Sequence, residues 1–371
     1  MSADPGLASW LQLTLTPGIG SAALRGMLRQ FGLPENIVGR KASELSPFVE
    51  RQVLDALSSE PVKAAVSRAL DWAAQPGHAV ITLADPSYPR ALLEIADPPA
   101  LLYAIGRGEL LQRPGLAVVG SRNATAQGES NAQSFAKALS EAGLTIVSGL
   151  AMGIDAGAHR GGLAGPGSTI AVLGTGVDVV YPRRNAELAA EIAARGVLIS
   201  EFPLETAPAA YNFPKRNRLI SGLARGCLVI EAAAASGSLI TARTAAEQGR
   251  EVFAIPGSIH SPLSRGCHAL IKTGAKLVES AQDVLDELSG FRATGYASTT
   301  AKRDERGRQA EPSGGLLDCM GHDPVDIDAL CSRAGLSAEQ VSAELLRLEL
   351  DGLVAALPGG LYQRLEKGEQ G

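Results

Sequence analysis

Between Thr206 and Gly226 the sequence contains no acidic residue, yet it carries Lys215, Arg216, Arg218 and Arg225. Pro214 marks a helix start, because proline is tolerated in the first turn, where its missing N–H has no partner to lose. At 100° per residue Leu219, Ile220 and Leu223 share one face. Arg216 projects to the same side one turn earlier, and Lys215 and Arg218 lie beside it. Three cations in a first turn add to free amides and a helix dipole that already favour an anion. The chemistry they suggest is phosphate binding. Asp155 and His159, four residues apart on one helix face, have a spacing that could serve acid–base work. With no nucleophile readable beside them, they read as a helix N-terminal carboxylate and a hydrogen-bonded core histidine. Cys267, His268 and His260 in one loop are too few and too irregularly spaced for a metal site. The four cysteines, Cys227, Cys267, Cys319 and Cys331, contain no Cys-x-x-Cys pair and read as buried thiols of a reducing cytoplasm.

Residues 76–290 supply the elements that position these groups. Apolar, β-branched runs at 116–120, 145–147, 169–173, 197–199, 227–230 and 251–255 alternate with helical patterns at 125–142, 153–163, 184–195, 214–225 and 238–248. That alternation predicts an α/β fold whose parallel sheet is covered on both faces. The handedness of crossovers then gives a doubly wound, Rossmann-like sheet, with 79–83 and 101–104 as short strands at one edge. In such a sheet every strand-to-helix loop falls at the carboxyl edge. Arg122, Arg183, Arg184, Lys215, Arg216 and Arg218 should therefore share one rim. Gly120, Gly149, Gly153, Gly174, Gly176 and Gly237 would let backbone approach a ligand there. The segment has 18 bases and 19 acids, so its cations are concentrated rather than abundant. A dinucleotide is disfavoured. Gly120-Ser-Arg-Asn-Ala-Thr and Gly174-Thr-Gly-Val-Asp-Val both depart from Gly-x-Gly-x-x-Gly, and no P-loop is present.

The totals agree with local rather than global binding. Net charge is −5 over 371 residues, which excludes nucleic-acid binding through overall positive charge. The first residues, Met-Ser-Ala-Asp-Pro-Gly, lack the basic and apolar regions of a signal peptide. No apolar run approaches the ~20 residues needed to cross a bilayer.

The ordered blocks carry a family resemblance. They are Tyr88-Pro-Arg-x-Leu-x-x-Ile-x-Asp-Pro-Pro99, Val119-Gly-Ser-Arg122, Ser148-Gly-Leu-Ala-x-Gly-Ile-Asp155 with Ala158-His159, and Val172-Leu-Gly-Thr-Gly176. Tyr181-Pro182, Phe213-Pro-x-Arg-Asn-Arg218, Ser236-Gly-Ser-Leu-Ile-Thr-Ala242 and Pro256-Gly257 follow. Together they resemble the DNA-processing protein A (DprA/Smf) family over about residues 80–290. The resemblance implies an extended Rossmann fold that binds single-stranded DNA and loads the RecA recombinase onto it in natural transformation. It also implies a homodimer, no cofactor and no catalytic turnover. Carried over to this sequence, it assigns DNA contact to Gly120, Ser121, Arg122, Gly149, Phe213, Lys215, Arg216, Asn217, Arg218, Ser236 and Gly237, and to Arg183 or Arg184. Tyr181, Tyr211 and Phe213 are the aromatics available for base stacking. The alternative is a nucleotide-processing enzyme, similar to the phosphoribohydrolases, that uses Asp155, His159 or Glu231 in the same cleft. Those enzymes carry Pro-Gly-Gly-x-Gly-Thr-x-x-Glu where this chain has Ser236-Gly-Ser-Leu-Ile-Thr-Ala242. A third reading is a structural dimer that only scaffolds partners.

Two further modules flank the sheet. Residues 1–75 read as helical, with Pro17-Gly-Ile-Gly20 between two helices resembling a helix-hairpin-helix (SAM-like) unit. Its seven bases balance seven acids, so packing or dimerisation is an equal alternative to phosphate gripping. Residues 291–315 are polar and mixed in charge, and read as a flexible linker. Residues 316–371 read as a winged helix, closed by Gly335 and reopened by the capping box Ser337-Ala-Glu-Gln340. Ten acids against four bases predict a protein-contact or regulatory role for this module rather than DNA reading.

Overall fold

A computed structural model describes residues 5–288, 316–320 and 324–365. The expected linker, 291–315, lies outside the described residues. Five helices open the chain: α1 (Pro5–Leu15), α2 (Ser21–Phe31), α3 (Ala42–Leu45), α4 (Arg51–Leu57) and α5 (Glu60–Ala73). Leu13, Leu24, Met27, Ile37, Leu45 and Leu57 form their own small core. Leu11, Ala69 and Trp72 instead pack on the sheet, against Leu101 and Tyr103. The Pro17–Gly20 turn is closed by Ile19 N–H donating to Thr16 O, and Gly18 (φ 91°) lies against Val53.

The central part begins with β1 (His78–Thr82), β2 (Leu101–Gly106), β3 (Gly115–Val119), α6 (Ala126–Glu141), β4 (Thr145–Ser148), α7 (Ile154–Ala164), β5 (Thr169–Val172), α8 (Ala186–Arg195) and β6 (Val197–Ser200). It continues with α9 (Asn212–Gly222), β7 (Ala224–Val229), α10 (Ser238–Glu247), β8 (Glu251–Ala254), α11 (Arg265–Lys272), β9 (Lys276–Leu277) and α12 (Ala281–Glu287). The nine strands run in the order β1-β2-β6-β5-β4-β3-β7-β8-β9. Strands β6 to β9 are parallel throughout that order, while β1 and β2 add an antiparallel edge.

Alternation along each strand divides the core. Ala117 and Val119 of β3 face one side with Leu219, Ile220, Leu239 and Ala242 of α9 and α10. Leu116 and Val118 face the other with Ala132, Ala136 and Leu139 of α6. The chain winds outward from β3 through β4, β5 and β6, then crosses back to β7. The reversal lies between β3 and β7, where an open α/β sheet receives its ligand.

The helix expected over 214–225 begins two residues earlier and ends at Gly222, because Ala224 already pairs with Gly115 in the sheet. Pro214 stays in its first turn. Strand β9 and helices α11 and α12 were not expected from the pattern.

The carboxyl-terminal described residues form α13 (Leu316–Met320), β10 (Val325–Asp326), α14 (Ile327–Ala334), α15 (Ala338–Leu350), β11 (Val354–Leu357) and β12 (Leu361–Arg364). Leu330, Val341, Leu345, Leu348 and Val354 are their core. Three helices followed by a hairpin, with β12 between β10 and β11, make the expected winged helix. Strand β12 lies against α6. Among the described residues no helix is long and apolar enough to cross a membrane.

Candidate nucleic-acid interface

A cleft of about 710 Å³ opens at the β3/β7 switch point. The loop after β3 forms one wall with Gly120, Ser121, Arg122 and Asn123. The loop after β7 forms the opposite wall with Ala233, Ala235, Ser236 and Gly237. The start of α9 closes one end with Phe213, Pro214, Arg216 and Asn217, and Tyr181 reaches in from the loop before α8.

The wall after β3 is held by the backbone and side chain of Glu231, just past β7. Ser121 N–H donates to Glu231 O at 2.7 Å. The Glu231 side chain accepts from Thr125 N–H at 2.9 Å and from Thr125 Oγ1 at 2.6 Å. Thr125 in turn caps α6 by accepting from Gly128 N–H. The close approach requires Gly128, where a Cβ would stand 2.4 Å from the Glu231 carboxyl carbon. Glu231 is therefore a strut between β7 and the start of α6. Across the cleft, Ser236 Oγ and Ser238 Oγ are hydrogen-bonded at 2.7 Å at the start of α10.

The six expected rim cations separate into three kinds. Arg122 is exposed, and its guanidinium carbon lies 5.5 Å from the centroid of the Phe213 ring. Tyr181 lies beside the same ring, 5.8 Å between centroids, and is 47% exposed. Lys215, Arg183 and Arg184 are also exposed but flank the cleft rather than line it. Lys215 Nζ sits 5.5 Å from the Phe202 ring centroid. Among the described residues Arg122, Arg183, Arg184 and Lys215 form no ion pair, and all four are exposed.

Arg216 and Arg218 are different. Arg216, expected on the rim, is 5% exposed and forms the cleft floor. Its Nη1 donates to Gly149 O at 2.7 Å and also to Val172 O. Gly149 is needed beneath it, since a Cβ there would approach the guanidinium to 2.5 Å. Burial lowers the Arg216 pKa to about 10, and the Asp155 charge partly restores it. Arg218 is neutralised by a bidentate pair with Glu201, at 2.9 and 2.6 Å, and reaches Asp97 at 3.3 Å. The acid-free stretch around α9 thus receives its acids from 17 and 121 residues away.

Asp155 and His159 are both buried. Asp155 accepts from Gly149 N–H at 3.1 Å and Ala151 N–H at 3.3 Å, shaping the turn in which Leu150 takes φ 60°. Burial pushes its carboxyl above the usual range, opposed by Arg216. His159 Nε2 accepts from Leu150 N–H at 3.2 Å, which leaves Nδ1–H to donate to Thr169 Oγ1 at 2.7 Å. Burial, with Arg216 nearby, lowers its pKa to about 3. The ring is neutral and both nitrogens are committed to the fold. The described residues contain no cluster of side chains suited to a metal ion. The sequence did not reveal the apolar wall of the cleft, formed by Pro208, Ala210, Ile220 and Ile240. Nor did it reveal Glu201 and Asp97 as partners of α9.

The fold and site define a Rossmann-like α/β protein with an open, cation-edged cleft at its switch point and a winged helix at its carboxyl end. The model of the DNA recombination-mediator protein A family matches residues 79–289, and that of the DprA winged helix domain matches residues 300–360. The chain belongs to the DprA/Smf family of DNA-processing proteins. It is 45% identical over 305 residues to Protein Smf of Escherichia coli, covering 81% of each chain. It is 50% identical over 206 residues to DNA processing protein DprA of Streptococcus pneumoniae, covering 56% of this chain and 73% of that one. The X-ray structure of DprA from Streptococcus pneumoniae superposes with a TM-score of 0.62 at 39% identity, over 75% of this chain and 95% of that one. DNA processing protein A from Helicobacter pylori, described for its single-stranded DNA binding mode, superposes at 0.52 with 30% identity, over 56% and 95%.

Proposed function

We propose that the chain binds single-stranded DNA along the switch-point cleft and passes it to the RecA recombinase, as a cytoplasmic homodimer without catalytic turnover. The observation that carries this is Arg122, an exposed cation at the cleft edge with no ion-pair partner among the described residues, standing over Phe213 with Tyr181 beside it. That arrangement offers a phosphate a charge and a base a stacking surface within one nucleotide's reach. Gly120, Ser121, Asn217, Ser236 and Gly237 line the cleft that the strand would follow, and the exposed Lys215, Arg183 and Arg184 would extend its electrostatic track. Gly149 and Arg216 serve as the floor rather than as phosphate ligands. The single-strand binding of the Helicobacter pylori relative supports the ligand class. RecA and the dimer rest on family membership. The enzyme alternative loses support because Asp155, His159 and Glu231 all hold backbone or caps in place.

Equilibrium binding of a fluorescent oligo-thymidine at several salt concentrations tests the reading. Affinity of the wild-type chain should fall with log[salt] by about 0.7 per neutralised phosphate. Arg122→Ala and Lys215→Ala, verified as folded by circular dichroism, should bind more weakly and with a shallower slope. Wild-type affinity and slope in both variants would remove the cleft as the site.

A further inference from the structure

Asp97 joins two parts of the molecule that the sequence keeps far apart. One of its oxygens accepts from Arg25 Nη1, on α2 of the amino-terminal helices, and Ser21 of the same helix also hydrogen-bonds to it. The other accepts from Arg218 Nε, on α9, at 3.3 Å. Arg218 is held from its far side by Glu201, whose side chain is only 8% exposed. The segment that carries Asp97 is itself wedged between the same two parts. Leu92 and Ile95 press on Gly222 of α9, where a Cβ would come within 2.9 Å of each. Tyr88 donates to Pro99 O at 2.7 Å, and Ala100 packs on the amino-terminal core. Apolar packing and a shared carboxylate thus connect α2 to the helix whose first turn closes the cleft.

We propose that Asp97 makes the amino-terminal helices part of the single-strand site, with Arg218 acting as a positioning residue for α9 and not as a phosphate ligand. This rests on the reading of the cleft as the single-strand site. A guanidinium already bidentate to one carboxylate and shared with a second has little charge left for a phosphate, and moving it would leave Glu201 unpaired. Its work is to fix the angle of α9, and so the placement of Phe213 and Lys215. Arg25 contributes through Asp97, without touching DNA.

The full chain, the oligo-thymidine probe and a salt series provide the test, with Arg25→Gln, Arg218→Gln, Arg218→Lys and Arg122→Ala compared with wild type. Arg25→Gln and Arg218→Gln should each weaken binding by roughly threefold to thirtyfold while leaving the salt slope at its wild-type value. The double variant should lose less than the product of the two. Arg218→Lys should fail to restore affinity, because an ammonium cannot reproduce the bidentate pair with Glu201. A shallower slope in Arg218→Gln, or rescue by lysine, would make Arg218 a phosphate contact and overturn the proposal. Wild-type binding by Arg25→Gln would overturn it too, and that partly exposed residue carries the test if the Arg218 variants do not fold. If Arg122→Ala loses affinity and slope while Arg25→Gln does not, the coupling alone fails. If Arg122→Ala is also unchanged, the single-strand reading fails with it.

Discussion

Two regions of this molecule are built the way DNA-binding surfaces are built, and they differ in where their charges end. At the switch-point cleft, Arg122 stands over an aromatic ring without an ion-pair partner among the described residues, with Lys215, Arg183 and Arg184 exposed nearby. In the winged helix, α15 occupies the place of a reading helix, yet it exposes Glu339 and Glu349 beside Leu346 and Leu350. Its one arginine, Arg347, is taken up by Glu344 and Asp351. A phosphate approaching α15 meets carboxylates, whereas one approaching the cleft meets free cations at helix starts. Fold alone would nominate both surfaces; in the proposed reading the fate of individual arginines favours the cleft.

The largest effect should come from the cleft floor. Arg216→Met removes the donors to Gly149 O and Val172 O and leaves Asp155 buried without its cation, a loss of about 3–5 kcal/mol in urea denaturation. Arg347→Met on α15, an exposed position, should leave the denaturation midpoint nearly unchanged. Next, Phe213→Ala should weaken oligo-thymidine binding by about 1–3 kcal/mol, the worth of one stacked base, with the salt slope retained. Leu346→Ala on α15 should not change it.

The pH response probes the neutral interior beneath the cleft. His159 has a folded pKa of about 3, depressed from the ordinary 6.5, so the unfolded chain binds more protons between those values. Its contribution is fully present above pH 6.5 and is lost as pH falls toward 3. Going from pH 6.5 to 5 should cost the wild-type chain about 2 kcal/mol relative to His159→Asn. Asp155, raised by burial, acts in the opposite direction in both proteins and cancels in the difference. Chemical denaturation at the two pH values measures it. The smallest effect should follow truncation after residue 288, which removes the winged helix and should change single-strand affinity by less than about twofold at fixed salt. A large loss there would make the acidic module a DNA contact after all.

The sheet was legible because its strands are apolar on both faces and alternate with single helices, a signal carried within each short stretch. Strand β9 escaped because two residues, Lys276 and Leu277, make no pattern. The loops of the cleft were legible from topology, since the carboxyl edge of a parallel sheet gathers them wherever they lie in sequence. What the sequence hid was pairing. An arginine's partners need not be its neighbours: besides Asn217 beside it, Arg216 donates to the carbonyls of Gly149 and Val172, and Arg218 pairs with Glu201 and Asp97. The absence of acids between Thr206 and Gly226 suggested three free cations on α9; among the described residues, Arg216 and Arg218 find partners and Lys215 forms no ion pair. Helical spacing placed Arg216 on the face with Leu219 and Ile220, and burial of that face is what takes it from the rim to the floor.

The most direct test of which surface holds DNA is photocrosslinking of an oligonucleotide containing 5-iodouracil to the full chain, with the linked peptides located by mass spectrometry. Links should fall on Tyr181 and Phe213 and be lost in the presence of excess unlabelled oligo-thymidine. Links concentrated on α15 or the β11–β12 hairpin, with none at Tyr181 or Phe213, would contradict it.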